Sequence, residues 1–146
     1  MRWNRRRQAR RLLVQALYQQ QLTGYAAEEI ESQFSGQPHY LEADPKFFSS
    51  MLHEAIRGRS ELDRDIAAAS DISPDRIDPV EKAILWSALT EMQNGKAEYA
   101  VIINEAIELA REFGAENGYR FVNAVLDRWA RANPEGSAAG SAGNGD

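Results

Sequence analysis

The chain has no cysteine, which removes disulfide staples, a thiolate nucleophile and any cysteine-ligated zinc or iron–sulfur centre. Its two histidines, His39 and His53, fall in different expected elements, and neither has an acid at the spacing that would orient a general base. No GxGxxG or GxxxxGK[ST] stretch is present, so no phosphate-cradling nucleotide loop is expected. No apolar run approaches the roughly 18–20 residues that span a bilayer. Runs of alternating β-branched residues bounded by hairpin turns are also missing, which argues against strands. These absences leave a non-enzymatic protein with no cofactor, no metal and no membrane contact. With no secretory leader in view, the expected address is the cytoplasm.

What is present is a 146-residue chain, 43% hydrophobic and 27% charged, long enough for one globular domain. Its net charge of −5 is very unevenly placed. Arg2, Arg5, Arg6, Arg7, Arg10 and Arg11 crowd the first eleven residues with no acid among them. The other 135 residues hold 11 basic and 22 acidic side chains. Salt screens charge over about 8 Å, so an approaching polyanion meets the local arginine density rather than the global sum. A basic end on an acidic body describes a directional binder.

Apolar spacing follows a period of about 3.6 along most of the chain, which predicts an all-helical fold. A first helix runs from Arg5 to Leu22 and stops at Gly24. A weaker one covers Glu28 to Phe34. Asp44-Pro45 restarts the helical pattern, with Phe48, Met51, Leu52, Ala55 and Ile56 as its buried stripe up to Gly58. Leu62 and Ile66 anchor a helix over Ser60–Ala69, and Ser73-Pro74 starts a short turn. Asp78-Pro79-Val80-Glu81 has the form of a capping box, in which Glu81 reaches back to the first amide, and its helix ends at Asn94-Gly95.

Val101 to Phe113 is apolar over so wide a surface that it predicts a central, largely buried helix, ended by Gly114. The last helix, Glu116–Ala132, gathers Phe121, Val122, Val125, Leu126 and Trp129 on one side. The break at 70–78 divides the helices into two groups packed as halves of one domain over residues 1–133. Residues 134–146 have no bulky apolar side chain and read as a disordered tail.

The first helix is the most informative. Leu12, Leu13, Ala16 and Leu17 suffice to dock it, while Val14, Tyr18 and Leu22 form a second stripe that Arg7 and Arg11 extend. That stripe reads either as burial on both sides or as a protein-binding face continuous with an arginine patch. Clustered guanidinium forks suit phosphate oxygens, and Trp3, Tyr119 and Phe121 offer flat surfaces for unpaired bases. The combination points to single-stranded nucleic acid. Glu105, Glu108 and Glu112 lack the Glu-x-x-His partner of a bundle metal site and read as a solvated helix face.

Three segments carry a family resemblance: Arg5-Arg6-Arg7-Gln8-Ala9-Arg10 leading into Val14-Gln15-Ala16-Leu17-Tyr18, then Asp78 to Leu85, then VIINEAIELAREFG followed by RFVNAVLD. Over residues 5–130 the chain resembles the NusB family of bacterial antitermination factors. The resemblance implies two packed three-helix-bundle halves. It also implies binding of boxA RNA together with NusE, a small-subunit ribosomal protein, within an RNA polymerase complex that suppresses premature termination in ribosomal RNA operons.

Carried onto this sequence, the RNA side would comprise Arg5, Arg6, Arg7 and Arg10 with Asn117, Tyr119, Arg120 and Phe121, although Phe121 also fits its helix's core stripe. The NusE side would comprise Tyr18, Leu22 and Glu81. Three positions depart from the family pattern: Asn117 where an acid is common, Trp86 where a base is common, and Tyr119 for the usual histidine. Two other readings fit parts of the chain. One is an adaptor that self-associates through Val14, Tyr18 and Leu22, and the other is the NusB-like domain that accompanies RNA methyltransferases, for which no catalytic domain follows here. The apolar stripe also admits a homodimer that hides the NusE surface.

Overall fold

The computed structural model describes residues 2–95 and 97–134, with side chains from Arg5 onward. Helices α1 (Arg2–Thr23), α2 (Ala27–Ser35), α3 (Pro45–Arg57), α4 (Arg59–Ala69), α5 (Pro79–Asn94), α6 (Tyr99–Phe113) and α7 (Gly118–Ala132) follow in order. Short 3₁₀ turns occupy Tyr40–Glu42 and Pro74–Arg76, and there is no strand among the described residues. No helix among them is long and apolar enough to cross a membrane. The Trp3 side chain and the expected tail after Pro134 lie outside the described residues.

Local chemistry accounts for several boundaries. Asp44 accepts a hydrogen bond from the Phe47 amide at 3.4 Å, and Pro45 fills the first turn of α3, where no N–H is needed. Gly24 takes φ +72 just beyond α1, a conformation that costs a side-chain-bearing residue about 1–2 kcal/mol. Asp78 accepts from the amides of Val80 at 2.8 Å and Glu81 at 3.4 Å, so the first arm of the expected capping box forms. The return arm does not: the Glu81 carboxylate is turned toward the backbone of Ala115 instead, a neighbour supplied by tertiary packing.

Helices α1, α2 and α3 pack as one three-helix bundle, and α5, α6 and α7 as a second. The bundles join where α1 and α3 meet α5. Helix α4, with Leu62, Ile66 and Ala69 buried, closes on α5 and α7 as well as on α3. The division between halves therefore falls at Gly58, earlier than the expected break at 70–78.

The central helix is α5, not α6. Every residue of α5 from Ala83 to Met92 is buried, because the helix contacts α1, α3, α4, α6 and α7. In α6, Val101 is 41% exposed and Ile103, Ile107 and Phe113 are only half-buried, since that helix covers one side of the second bundle. Trp86 of α5 is buried, donates its indole N–H to Asp63 at 2.8 Å and carries the Lys82 ammonium over its ring. Its site is thus a core position with a satisfied polar tip.

Candidate nucleic-acid interface

The arginines of α1 are not an open cluster. Spaced along a helix at about 100° per residue, they diverge around its axis and meet different neighbours. Arg5 is exposed and donates to the Glu42 carbonyl at 3.2 Å. Arg6 is half-buried, pairs with Asp44 at 3.0 Å and lies 4.1 Å from the centre of the Phe47 ring. Arg7 is exposed but makes a bidentate contact with Glu105 at 3.2 and 2.9 Å, which raises its pKa. Arg11 pairs with Glu112 and stacks toward Phe113.

Arg10 is 5% exposed, and its fork is held by Glu91 at 3.0 and 2.5 Å, with Glu105 3.8 Å away. The structure places it inside the molecule, joining α1, α5 and α6. Glu105 is likewise buried, so it leaves the expected solvated glutamate face, whereas Glu108 and Glu112 are exposed as expected, Glu112 while paired with Arg11.

The α7 end of the expected RNA side begins with a tight turn. Asn117 adopts φ +69, which asparagine tolerates better than most residues, and it is exposed with no capping hydrogen bond from its side chain. Tyr119 is half-buried and Arg120 exposed. The Arg120 Nε–H donates to the Tyr119 hydroxyl at 3.3 Å, and the Arg111 guanidinium lies 4.5 Å from the ring centre. The hydrogen bond from Arg120, its charge and that of Arg111 together lower the phenol pKa. Phe121 is half-buried and packs against the core, as its place on the helix's core stripe leads one to expect.

These contacts make one continuous strip. It runs from Arg7 and Arg11 over the end of α6 to Arg111, Tyr119 and Arg120, beside a cleft of about 400 Å³ where Arg7, Arg11 and Arg111 alternate with Glu105, Glu108 and Glu112. Arg11 and Arg111 bridge the two expected groups and were not among them. Arg111 sits 100 residues after Arg11, in a segment read for its apolar pattern, and no local spacing links the two.

At the far end of α1 the second stripe splits. Val14 is 2% exposed and belongs to the core, whereas Tyr18 at 38%, Leu22 at 62% and nearby Tyr25 at 40% remain open. Glu81, expected on this side, is only 8% exposed. Burial, and secondarily Asp78, push its pKa above the ordinary value.

The histidines also differ from expectation, since each has an acid. His39 Nδ1 lies 3.2 Å from Glu42, both highly exposed, and His53 Nε2 lies 2.7 Å from Glu31 of α2. No group of three or more side chains among the described residues could hold a metal ion.

The NusB family model matches residues 7–131 of this chain. The transcription antitermination protein NusB of Paraburkholderia phymatum is 43% identical over 124 residues, covering 84% of this chain and 86% of that protein. Its counterpart in Alcanivorax borkumensis is 41% identical over 127 residues, covering 86% and 85%. Among solved structures, T. maritima NusB superposes with a TM-score of 0.73 at 27% identity, over 86% of this chain and 90% of that one. A crystal structure of antitermination factors NusB and NusE in complex with dsRNA gives a TM-score of 0.70 over 90% and 98% of the two chains. At 23% identity it speaks to the fold alone. With a family match over nearly all the described residues and relatives above 40% identity along most of both chains, this chain belongs to the NusB family.

Proposed function

We propose that this chain is a transcription antitermination factor that binds the boxA element of nascent ribosomal RNA together with NusE. The observation that carries this reading is the layout of α1. At one end its exposed arginines lead into the Arg111–Tyr119–Arg120 strip, and at the other it leaves Tyr18 and Leu22 uncovered. Guanidinium groups with an interleaved aromatic ring suit phosphates and unpaired bases, and exposed apolar side chains suit a protein partner.

On this reading Arg5, Arg6 and Arg7 grip phosphates, with Arg11 and Arg111 extending the track toward Asn117, Tyr119, Arg120 and Phe121. Arg10 contributes from within by fixing α1 against α5 and α6. Tyr18 and Leu22 meet NusE, with Glu81 at the rim of that surface. The role is one of binding in the cytoplasm, with no catalytic step, inside a complex that lets RNA polymerase pass terminators. A homodimer through Tyr18 and Leu22 would compete with NusE.

The test is fluorescence anisotropy of labelled boxA RNA, a scrambled strand and a duplex of equal length, titrated with the chain alone and with NusE at two salt concentrations. Selective binding of the boxA strand that tightens with NusE is expected. Equal binding to all three probes, unaffected by NusE, would overturn the reading.

A further inference from the structure

We infer that RNA takes up the middle of the basic strip by ion exchange: a backbone phosphate displaces the Glu112 carboxylate from Arg11, so Glu112 keeps a phosphate site closed until a strand arrives. The inference rests on the RNA-binding reading above and adds to it the step by which Arg11 joins the track.

The charge balance of the cleft between α1 and α6 poses the problem. Arg7, Arg11 and Arg111 stand there against Glu105, Glu108 and Glu112, three cations to three anions. A cleft in balance offers a phosphate no net attraction, and each carboxylate left in place repels it. One acid must give way before the strip can run unbroken from α1 to Arg111 and Tyr119.

The geometry selects which acid leaves. Glu105 is buried, holds Arg7 through hydrogen bonds at 3.2 and 2.9 Å, and lies 3.8 Å from the buried Arg10, so its departure would undo the docking of α1. Glu108 is exposed, and its charge acts on Arg7. Glu112 meets Arg11 between Oε2 and Nη1, and the two side chains are 41% and 34% exposed. It stands in the last turn of α6, where the partial negative charge of the helix end repels a carboxylate.

An exposed pair of this kind is weak, whereas a guanidinium fork binds phosphate oxygens through charge-assisted hydrogen bonds. The Arg11 guanidinium also lies 5.3 Å from the centre of the Phe113 ring, a surface that steadies it when the carboxylate swings out. With Glu112 displaced, three arginines face two glutamates, the excess that one backbone phosphate neutralises.

The test follows the anisotropy of labelled boxA RNA and of the scrambled strand over a salt series. It compares the full chain with Glu112→Gln, Glu108→Gln, Arg11→Ala and the double variant Arg11→Ala with Glu112→Gln. Glu112→Gln should tighten both strands about threefold to fivefold, the worth of an exposed ion pair that no longer has to open. It should also raise the log–log salt slope by up to about 0.7, since no cation returns to a freed carboxylate.

In the Arg11→Ala background the same substitution should change affinity by less than about twofold, because no guanidinium is there to release. Glu108→Gln removes an equal charge from the same cleft without freeing Arg11, so it too should stay within about twofold. The proposal is overturned if Glu112→Gln leaves both affinities unchanged or weakens them, if its gain survives the loss of Arg11, or if Glu108→Gln matches it. If the unaltered chain binds the boxA and scrambled strands equally, the functional reading fails, and the Arg11–Glu112 comparison on either strand still decides the exchange.

Discussion

Replacing Arg10 with Ala separates an arginine that holds the protein together from those that face solvent. The side chain is 7% exposed, and it supplies both hydrogen bonds that neutralise Glu91, whose own side chain is 2% exposed. Glu105 would keep Arg7, but among the described residues no second cation pairs with Glu91, so the mutation strands a charge in the core. Breaking a buried pair from one side costs about 3–5 kcal/mol, a large share of the roughly 5–15 kcal/mol that holds a domain folded. The melting temperature should fall by roughly 10–20 °C.

Urea unfolding followed by circular dichroism at the helix band measures the loss. A companion variant, Arg10→Met with Glu91→Met, removes both charges and fills the space, so it should recover most of the stability. RNA affinity of that double variant should stay near that of the unaltered chain. The reasoning is refuted if Arg10→Ala unfolds at the unaltered midpoint while losing as much RNA affinity as Arg5→Ala.

Arg5→Ala, which breaks no ion pair among the described residues, should lower the log–log salt slope of boxA binding by about 0.7, and an unchanged slope would remove Arg5 from the RNA track. Leu22→Asp places a charge on a 62% exposed position, so it should shift stability by less than about 0.5 kcal/mol. The same variant should weaken NusE binding at least about 30-fold, as loss of an interface anchor does, read by calorimetric titration. Burial and Asp78 hold the Glu81 pKa above its ordinary 4.5, so the folded state binds that proton more tightly than the unfolded chain does. The stability this confers is complete below about pH 4.5 and is lost as pH rises through the raised value. Glu81→Gln should therefore stabilise the protein at about pH 7 and lose that advantage near pH 4, checked by urea midpoints at both.

Much of the architecture was legible in residue order because helix signals act over a few neighbours. Asp44-Pro45, Asp78-Pro79 and Gly24 mark boundaries that the structure keeps, and the apolar period placed all seven helices to within two or three residues. The order of burial among them was not legible. The segment Val101–Phe113 is apolar enough for a central helix, yet α5 takes that place, because the centre is decided by which helix touches the most others. The second arm of the capping box failed for a related reason: tertiary packing buries the Glu81 carboxylate beside Ala115, distant in the chain.

The sequence by itself determined an all-helical chain with a basic start, two kinds of side chain along its first helix, and enough motif to identify the family. What only the tertiary structure decided is which of those residues are available. Arg10 finds Glu91 across 81 residues and Arg7 finds Glu105 across 98, so an apparent surface cluster becomes a graded set from the exposed Arg5 to the buried Arg10. Val14 sinks into the core while Tyr18 and Leu22, on the same stripe, stay open. Local propensity and capping are properties of neighbouring residues. Burial and ion pairing depend on which distant segments the fold brings alongside, and residue spacing carries no record of that.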